Sequence, residues 1–283
     1  MNRRAILYVL AGMGVSLIWF SIALGRMTGQ HIFHASFLIG LLLFIEVVLA
    51  LINKHPLLGN WGHEWKKIVL IMLLGIFVGV LFDIFGIFLL KFWEYPDMAA
   101  FTYTVLVLPA WALTFFIIYE SYRLLRIGMD RTHLDFGLHH QLRHISGYTF
   151  ALLGLAGVFL LTGSVALAVT NTQRTFTPTL VALGMWLILE NIEYQKTHRT
   201  LIVDILSGQL KPLFTIIAGA LLFGIAWEFM NLPMQTWIYY HLPWPSFAIA
   251  GIPVSLLLSW PWLYIIFLSL WRIVYRGDPN LWR

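Results

Sequence analysis

Polar residues are sparse along this chain and arrive in short clusters, separated by apolar runs of about 18 residues or more that recur from end to end. Runs of that length predict membrane-spanning helices rather than a single buried core helix. Eight spans follow from the pattern, over 7–24, 35–52, 68–90, 101–119, 147–170, 178–192, 213–230 and 247–270. The predicted fold class is therefore all-α, a polytopic membrane protein with eight transmembrane helices. The first run follows Asn2-Arg3-Arg4 as a secretion signal would. It exceeds the usual ~7–15 apolar residues of a signal and lacks a small-residue cleavage site, so it is read as an uncleaved helix.

The same landmarks recur in the two halves at an offset of 144 or 145 residues. Glu46 matches Glu190, Gly79 matches Gly224, Phe82-Asp83 matches Trp227-Glu228, Trp93-x-Tyr95 matches Trp237-x-Tyr239, and Pro109 matches Pro253. Leu10-Ala11-Gly12 and Leu155-Ala156-Gly157 align more loosely. An internal duplication is expected: a four-helix repeat over 1–130, a connecting loop over 131–146, and a second repeat over 147–283. Four spans per repeat give both the same orientation, so the repeats are parallel.

Composition agrees with a membrane protein, because 60% of the 283 residues are hydrophobic, 11% are charged and the mean hydropathy is +0.81. A soluble domain carries about 25% charged residues. The absence of cysteine excludes disulfides, iron–sulfur clusters and thiolate chemistry. A net charge of +5 does not point to nucleic acid, because the basic residues follow the loops. Fifteen of the 18 Lys and Arg fall on the side shared by both termini, leaving Arg26, Lys91 and Arg174 on the other. That asymmetry predicts cytoplasmic termini and an even number of spans, in a membrane read as a bacterial inner membrane.

Ionisable groups inside the spans carry the candidate chemistry, since each charge near a helix centre costs about 2.5–3.5 kcal/mol to insert. Asp83 and Glu228 fall roughly 22 Å across from the cytoplasmic ends of their helices and Glu46 about 10 Å across. These three are the expected acid/base residues. Asn231, one helical turn beyond Glu228, is expected to orient its carboxyl group. Glu190 and Glu193 are read as charges at the headgroups. About ten residues after each deep acid come Trp93-Glu94-Tyr95 and Trp237-Ile238-Tyr239, the latter extended by Tyr240, His241 and Trp244. Interfacial belts enrich Trp and Tyr in any membrane protein. An acid with aromatic faces is also what carbocation chemistry needs, a proton for an alkene and π-faces for the cation. Pro109, Pro253 and Pro261 are expected to kink the last helix of their repeat.

The motifs Phe82-Asp83, Phe92-Trp93-Glu94-Tyr95, Trp227-Glu228-Phe229-Met230-Asn231, Gly251-Ile252-Pro253 and Trp260 resemble those of the heterodimeric-type lycopene cyclases and the related carotenoid hydratases. The resemblance covers the second to fourth helices of each half. It departs from the cyclase pattern after the prolines, where Ala110-Trp111 and Val254-Ser255 stand in place of acids. It implies an isoprenoid pocket in which Asp83 or Glu228 protonates a C=C, Glu46 or the second acid recovers a proton or positions water, and no cofactor is required. Trp93, Tyr95, Asn231, Trp237, Tyr239 and Trp260 would line that pocket. Two other readings remain open: a subunit of a larger membrane complex that binds carotenoid, quinone or lipid without transforming it, and a proton-coupled transporter.

The loop residues His133, Asp135, His139, His140 and His144 include i, i+4 pairs of the kind that ligate metals. No further box supports them, and they are read as a solvated loop with no metal. The chain carries no P-loop and no Gly-x-Ser-x-Gly elbow.

Overall fold

A computed structural model describes residues 3–28, 32–52, 54–96, 98–131, 146–170 and 175–275, together with Asp278 and Leu281. The described residues are mostly helical: α1 (Arg3–Thr28), α2 (Ile32–Leu51), α3 (Trp61–Asp83), α4 (Ala100–Thr102), α5 (Leu108–Arg131), α6 (Gly147–Val169), α7 (Thr177–Thr197), α8 (Leu201–Leu206), α9 (Lys211–Met234) and α10 (Val254–Val274). Two π-helical segments extend this series, Ile84–Leu89 after α3 and Tyr103–Val107 between α4 and α5. Four two-residue strands complete it: β1 (Trp93–Glu94), β2 (Ile238–Tyr239), β3 (Ala248–Ile249) and β4 (Ile252–Pro253). β3 and β4 pair antiparallel, with Ala248 opposite Pro253 and Ile249 opposite Ile252.

Among the described residues, seven helical stretches are long and apolar enough to cross a membrane: Ala5–Thr28, Phe33–Leu51, Leu58–Leu89, Ala100–Arg131, Gly147–Val169, Lys211–Met234 and Val254–Val274. The chain is an all-α integral membrane protein. The segment 178–192 also forms its expected helix, α7, but this helix carries Glu190, Glu193 and Lys196 and is not one of the seven. Local signals start and stop it as sequence rules require. Pro178 occupies its first turn, where a missing N–H costs nothing, and His198 ends it in the left-handed conformation at φ 53°. Ser146 and Thr200 cap α6 and α8 by accepting Tyr148 N–H and Val203 N–H.

The chain forms two compact units, Met1–Ile84 with Trp93–Leu124 and Ala226–Ile238, and Phe85–Phe92 with Leu125–Ile225 and Tyr239–Arg283. In the first unit the core is Leu38, Leu49, Ile68, Ile71 and the run Phe115–Tyr119 with Tyr122, all nearly or fully inaccessible. α1 meets α2 at Gly14 and Gly40, where a Cβ on either glycine would fall within about 3 Å of the other's carbonyl oxygen. In the second unit Tyr264, Phe267, Leu268 and Trp271 are fully buried, and Phe150 stacks on Tyr194 at 3.9 Å. α6 and α7 cross at Gly157 and Gly184 by the same reciprocal approach of glycine to carbonyl.

One expectation about helix interiors needs correction. Pro253 does not lie within the last helix: it ends β4 and is the N-cap of α10, where a residue without an N–H breaks no helical bond. Glu190 and Glu193 are fully buried within the protein. Protein groups replace the water they would otherwise need, as described below.

Candidate functional site

Asp83 is the last residue of α3 before the chain loosens into a π-helical segment, and its side chain is 2% exposed. Four aromatic donors surround its carboxylate. Trp93 Nε1 (3.2 Å) and Tyr95 OH (2.9 Å) donate to Oδ1, and Tyr103 OH (2.7 Å) and Trp111 Nε1 (3.0 Å) donate to Oδ2. Each oxygen thus faces one indole N–H, a group that can donate but not accept. Satisfied in this way, a carboxylate can persist inside an apolar helix without an ion partner.

The local fold builds this cage from the two π-helical segments. Insertions of this kind are rare and concentrate at functional sites. The first carries the chain from Asp83 to the turn at Lys91, which adopts φ 50°, and into β1, which supplies Trp93 and then Tyr95. The second begins at Tyr103 itself. Trp111 comes from α5, and its indole takes the space a side chain on Gly79 would fill. Tyr95 is held well above its usual phenol range, first by burial and then by the charge of Asp83, so it remains a hydrogen donor.

Trp93 and Tyr95 were legible from sequence; Tyr103 and Trp111 were not. They lie 20 and 28 residues from Asp83, and only the packing of helices brings them to it.

Glu228 is buried at 3% exposure. Asn231, expected to orient it, instead uses both its polar atoms on the main chain of Trp237: Nδ2 donates to the carbonyl oxygen (3.0 Å), and Oδ1 accepts from the amide N–H (3.2 Å). The Trp237 ring packs on Trp227 (5.2 Å, interplanar 31°), and His34 stands edge-on to both indoles at 4.5 and 4.8 Å. Neither His34 nor Trp227 was singled out as a site residue. Tyr239 packs on Phe92 at 6.0 Å, and Trp260 stands edge-on to Phe223 at 5.3 Å and against Gly224.

Glu46 makes its contacts elsewhere, accepting Leu58 N–H on Oε2 at 2.9 Å. On α5, Glu120 is paired with Arg123 Nη1 at 2.7 Å, and Arg123 Nη2 donates to the His55 carbonyl at 3.0 Å. In the second unit Glu190 accepts Trp186 Nε1 (2.7 Å) and Ile202 N–H (3.1 Å). Glu193 is paired with Arg272 at 2.6 Å, and Arg272 also donates to the Arg199 carbonyl at 3.3 Å. The histidine loop at 133–144 lies outside the described residues.

Fold and site together define an integral membrane protein whose buried carboxylates are met by aromatic, backbone and arginine donors. Comparison with known proteins finds no matching family model, no matching curated sequence and no matching solved structure.

Proposed function

We propose that this protein binds a long isoprenoid in the bilayer and acts on one of its double bonds in the manner of a carotenoid cyclase or hydratase. The observation that carries the reading is the Asp83 cage, a carboxylate ringed by two indoles and two phenols in an otherwise apolar setting. A developing carbocation is stabilised by a fixed negative charge and by π-faces, neither of which need quench it. Because the donors already occupy Asp83, the proton donor in this scheme is Glu228, whose carboxylate then takes a proton back as the cation loses one to form an alkene or is captured by water, with Asp83 as the stabilising charge. Glu46 takes a structural part, closing the chain after α2. Within the first unit, Trp93, Tyr95 and Trp237 would face the ligand. Asn231 positions Trp237.

Mass spectrometry of lipids extracted from the purified native chain tests this directly. A co-purifying acyclic or cyclised isoprenoid is expected, and bulk phospholipid alone would refute it. Glu228→Gln should abolish conversion of the recovered isoprenoid while leaving its binding intact. The saturation of Asp83 favours one alternative, a binding subunit that leaves its isoprenoid unchanged. Wild-type protein that returns its ligand chemically unaltered would establish that alternative.

The architecture we propose has eight spans in two parallel four-helix repeats, with α7 as the sixth span and both termini in the cytoplasm of a bacterial inner membrane. Four paired geometries support the duplication. Glu46 and Glu190 each accept the N–H of the residue 12 positions on. Gly14/Gly40 and Gly157/Gly184 make the same helix crossing. Trp111 and Trp260 each fill the space beside a glycine, Gly79 and Gly224. Arg123 and Arg272 each donate to a carbonyl, His55 and Arg199, that stand 144 residues apart. In these last two pairs the final helices match at an offset of 149, so the contacts pair Trp111 with Trp260 rather than Pro109 with Pro253. Since the chain has no cysteine, single cysteines report topology cleanly. An impermeant maleimide added to spheroplasts should label Thr28→Cys and Thr175→Cys at once, and Ser146→Cys and His198→Cys only after permeabilisation. Immediate labelling at His198→Cys would remove α7 from the spans.

A further inference from the structure

Trp93 and Trp237 occupy matching places in the two halves, yet their indoles are used differently. Trp93 Nε1–H is taken up by Asp83 at 3.2 Å. Trp237 Nε1 is buried, in a residue only 7% exposed, and it makes no hydrogen bond among the described residues. A buried donor left unmade costs about 1–3 kcal/mol, a cost that phenylalanine at this position would avoid.

The surroundings hold the indole in place without using its N–H. Asn231 fixes the Trp237 main chain from both sides. Gln235, two residues earlier, adopts φ 45° and donates its N–H to the Asn231 carbonyl at 2.7 Å, which sets the turn that delivers the ring. His34 and Trp227 supply aromatic walls at 4.8 and 5.2 Å. The result is an oriented indole hydrogen-bond donor held among aromatic rings, the kind of group by which an apolar site selects a polar atom on a ligand.

We infer that Trp237 Nε1–H binds an oxygen atom at one end of the isoprenoid, so that the ligand is an oxygen-bearing isoprenoid, an alcohol or a quinone, rather than a pure hydrocarbon. This rests on the isoprenoid reading given above and narrows it. Discrimination of this kind is strong, because an analogue lacking the oxygen leaves the donor unpaired.

The test uses the full chain in detergent with 5-fluorotryptophan in place of its 13 tryptophans. The Trp237 fluorine resonance is assigned by its loss in Trp237→Phe, or in Trp237→Tyr should the first variant not fold. Geranylgeraniol, decylubiquinone and squalene are then titrated separately. A saturable shift of the Trp237 resonance is expected with geranylgeraniol, with decylubiquinone or with both, identifying an alcohol, a quinone or either as the source, and not with squalene. The folded variant should bind the effective oxygen-bearing probe about tenfold more weakly and squalene unchanged. Squalene shifting the Trp237 resonance as the oxygen-bearing probes do would overturn the inference. So would saturable shifts confined to other tryptophans, an outcome that leaves the isoprenoid reading standing. Absence of any saturable shift with all three probes would overturn both.

Discussion

Trp111 reaches Asp83 across 28 residues of chain, donating its indole N–H to Oδ2 at 3.0 Å while its ring fills the space beside Gly79. The bond and the packing are one arrangement. α5 approaches α3 closely enough for the bond only because residue 79 has no side chain.

Gly79→Ala should therefore disturb the site through packing. A Cβ at this position overlaps the Trp111 indole, and overpacking of this kind costs about 1–3 kcal/mol. Thermal melting in detergent should reveal the loss, together with a change in tryptophan fluorescence as Trp111 leaves Asp83. Gly62→Ala is the control on the same helix, because among the described residues nothing beyond its own helix backbone and chain neighbours lies within 4 Å of the added Cβ. It should be neutral or slightly stabilising.

Asp83→Asn retains the shape and removes the charge. An amide nitrogen cannot accept, so two of the four aromatic donors lose their partner, each at a cost of about 1–3 kcal/mol. Tyr103→Phe removes one bond and should cost about 1 kcal/mol. A melting temperature for Asp83→Asn equal to that of the wild type would mean that the cage does not hold an anion.

Arg272 and Glu193 form a buried ion pair at 2.6 Å. Arg272→Met leaves the glutamate buried without its countercharge and should destabilise by about 3–5 kcal/mol. Arg272→Met combined with Glu193→Leu should recover most of that loss, because the charge that needed compensation is gone. A double variant as unstable as the single one would place the cost in packing instead.

Asp204, on the short helix α8, is pushed up to about 7 by burial, against which the charge of Arg272 acts only in part. Its Oδ2 has no hydrogen-bond partner among the described residues. Because the folded value lies above the ordinary 3.8, the folded chain holds a proton that the unfolded chain has released. The stabilisation this proton brings is fully present below pH about 4 and is lost as the pH rises through about 7. Denaturation curves between those limits should show stability falling with pH, and Asp204→Asn should flatten the slope.

Along the chain, the deep acids and the aromatic residues ten positions after them were legible because apolar runs make any polar residue conspicuous. Trp93 and Tyr95 were found in this way. Tyr103 and Trp111 were not, since an aromatic residue within an apolar span is unremarkable until its neighbours are known. Asn231 was assigned to Glu228 on helical periodicity, and that rule says nothing about a main chain that turns back after Met234 to meet it. Pro109 and Pro253 matched in sequence, yet Pro109 lies inside α5 while Pro253 stands ahead of α10 as its N-cap, because where a helix begins is set by the contacts around it.

By itself the amino-acid sequence determined that this is a helical membrane protein, where most of its helices run, and that Glu46, Asp83 and Glu228 stand among apolar residues. Those properties follow from the cost of placing polar groups in hydrocarbon, a cost each segment bears on its own. Only the tertiary structure decided which donors satisfy those acids, which glycines let helices touch, and that the buried Trp237 indole N–H makes no hydrogen bond among the described residues. Those are properties of pairs of residues far apart in the chain, fixed only when packing has chosen one arrangement among many.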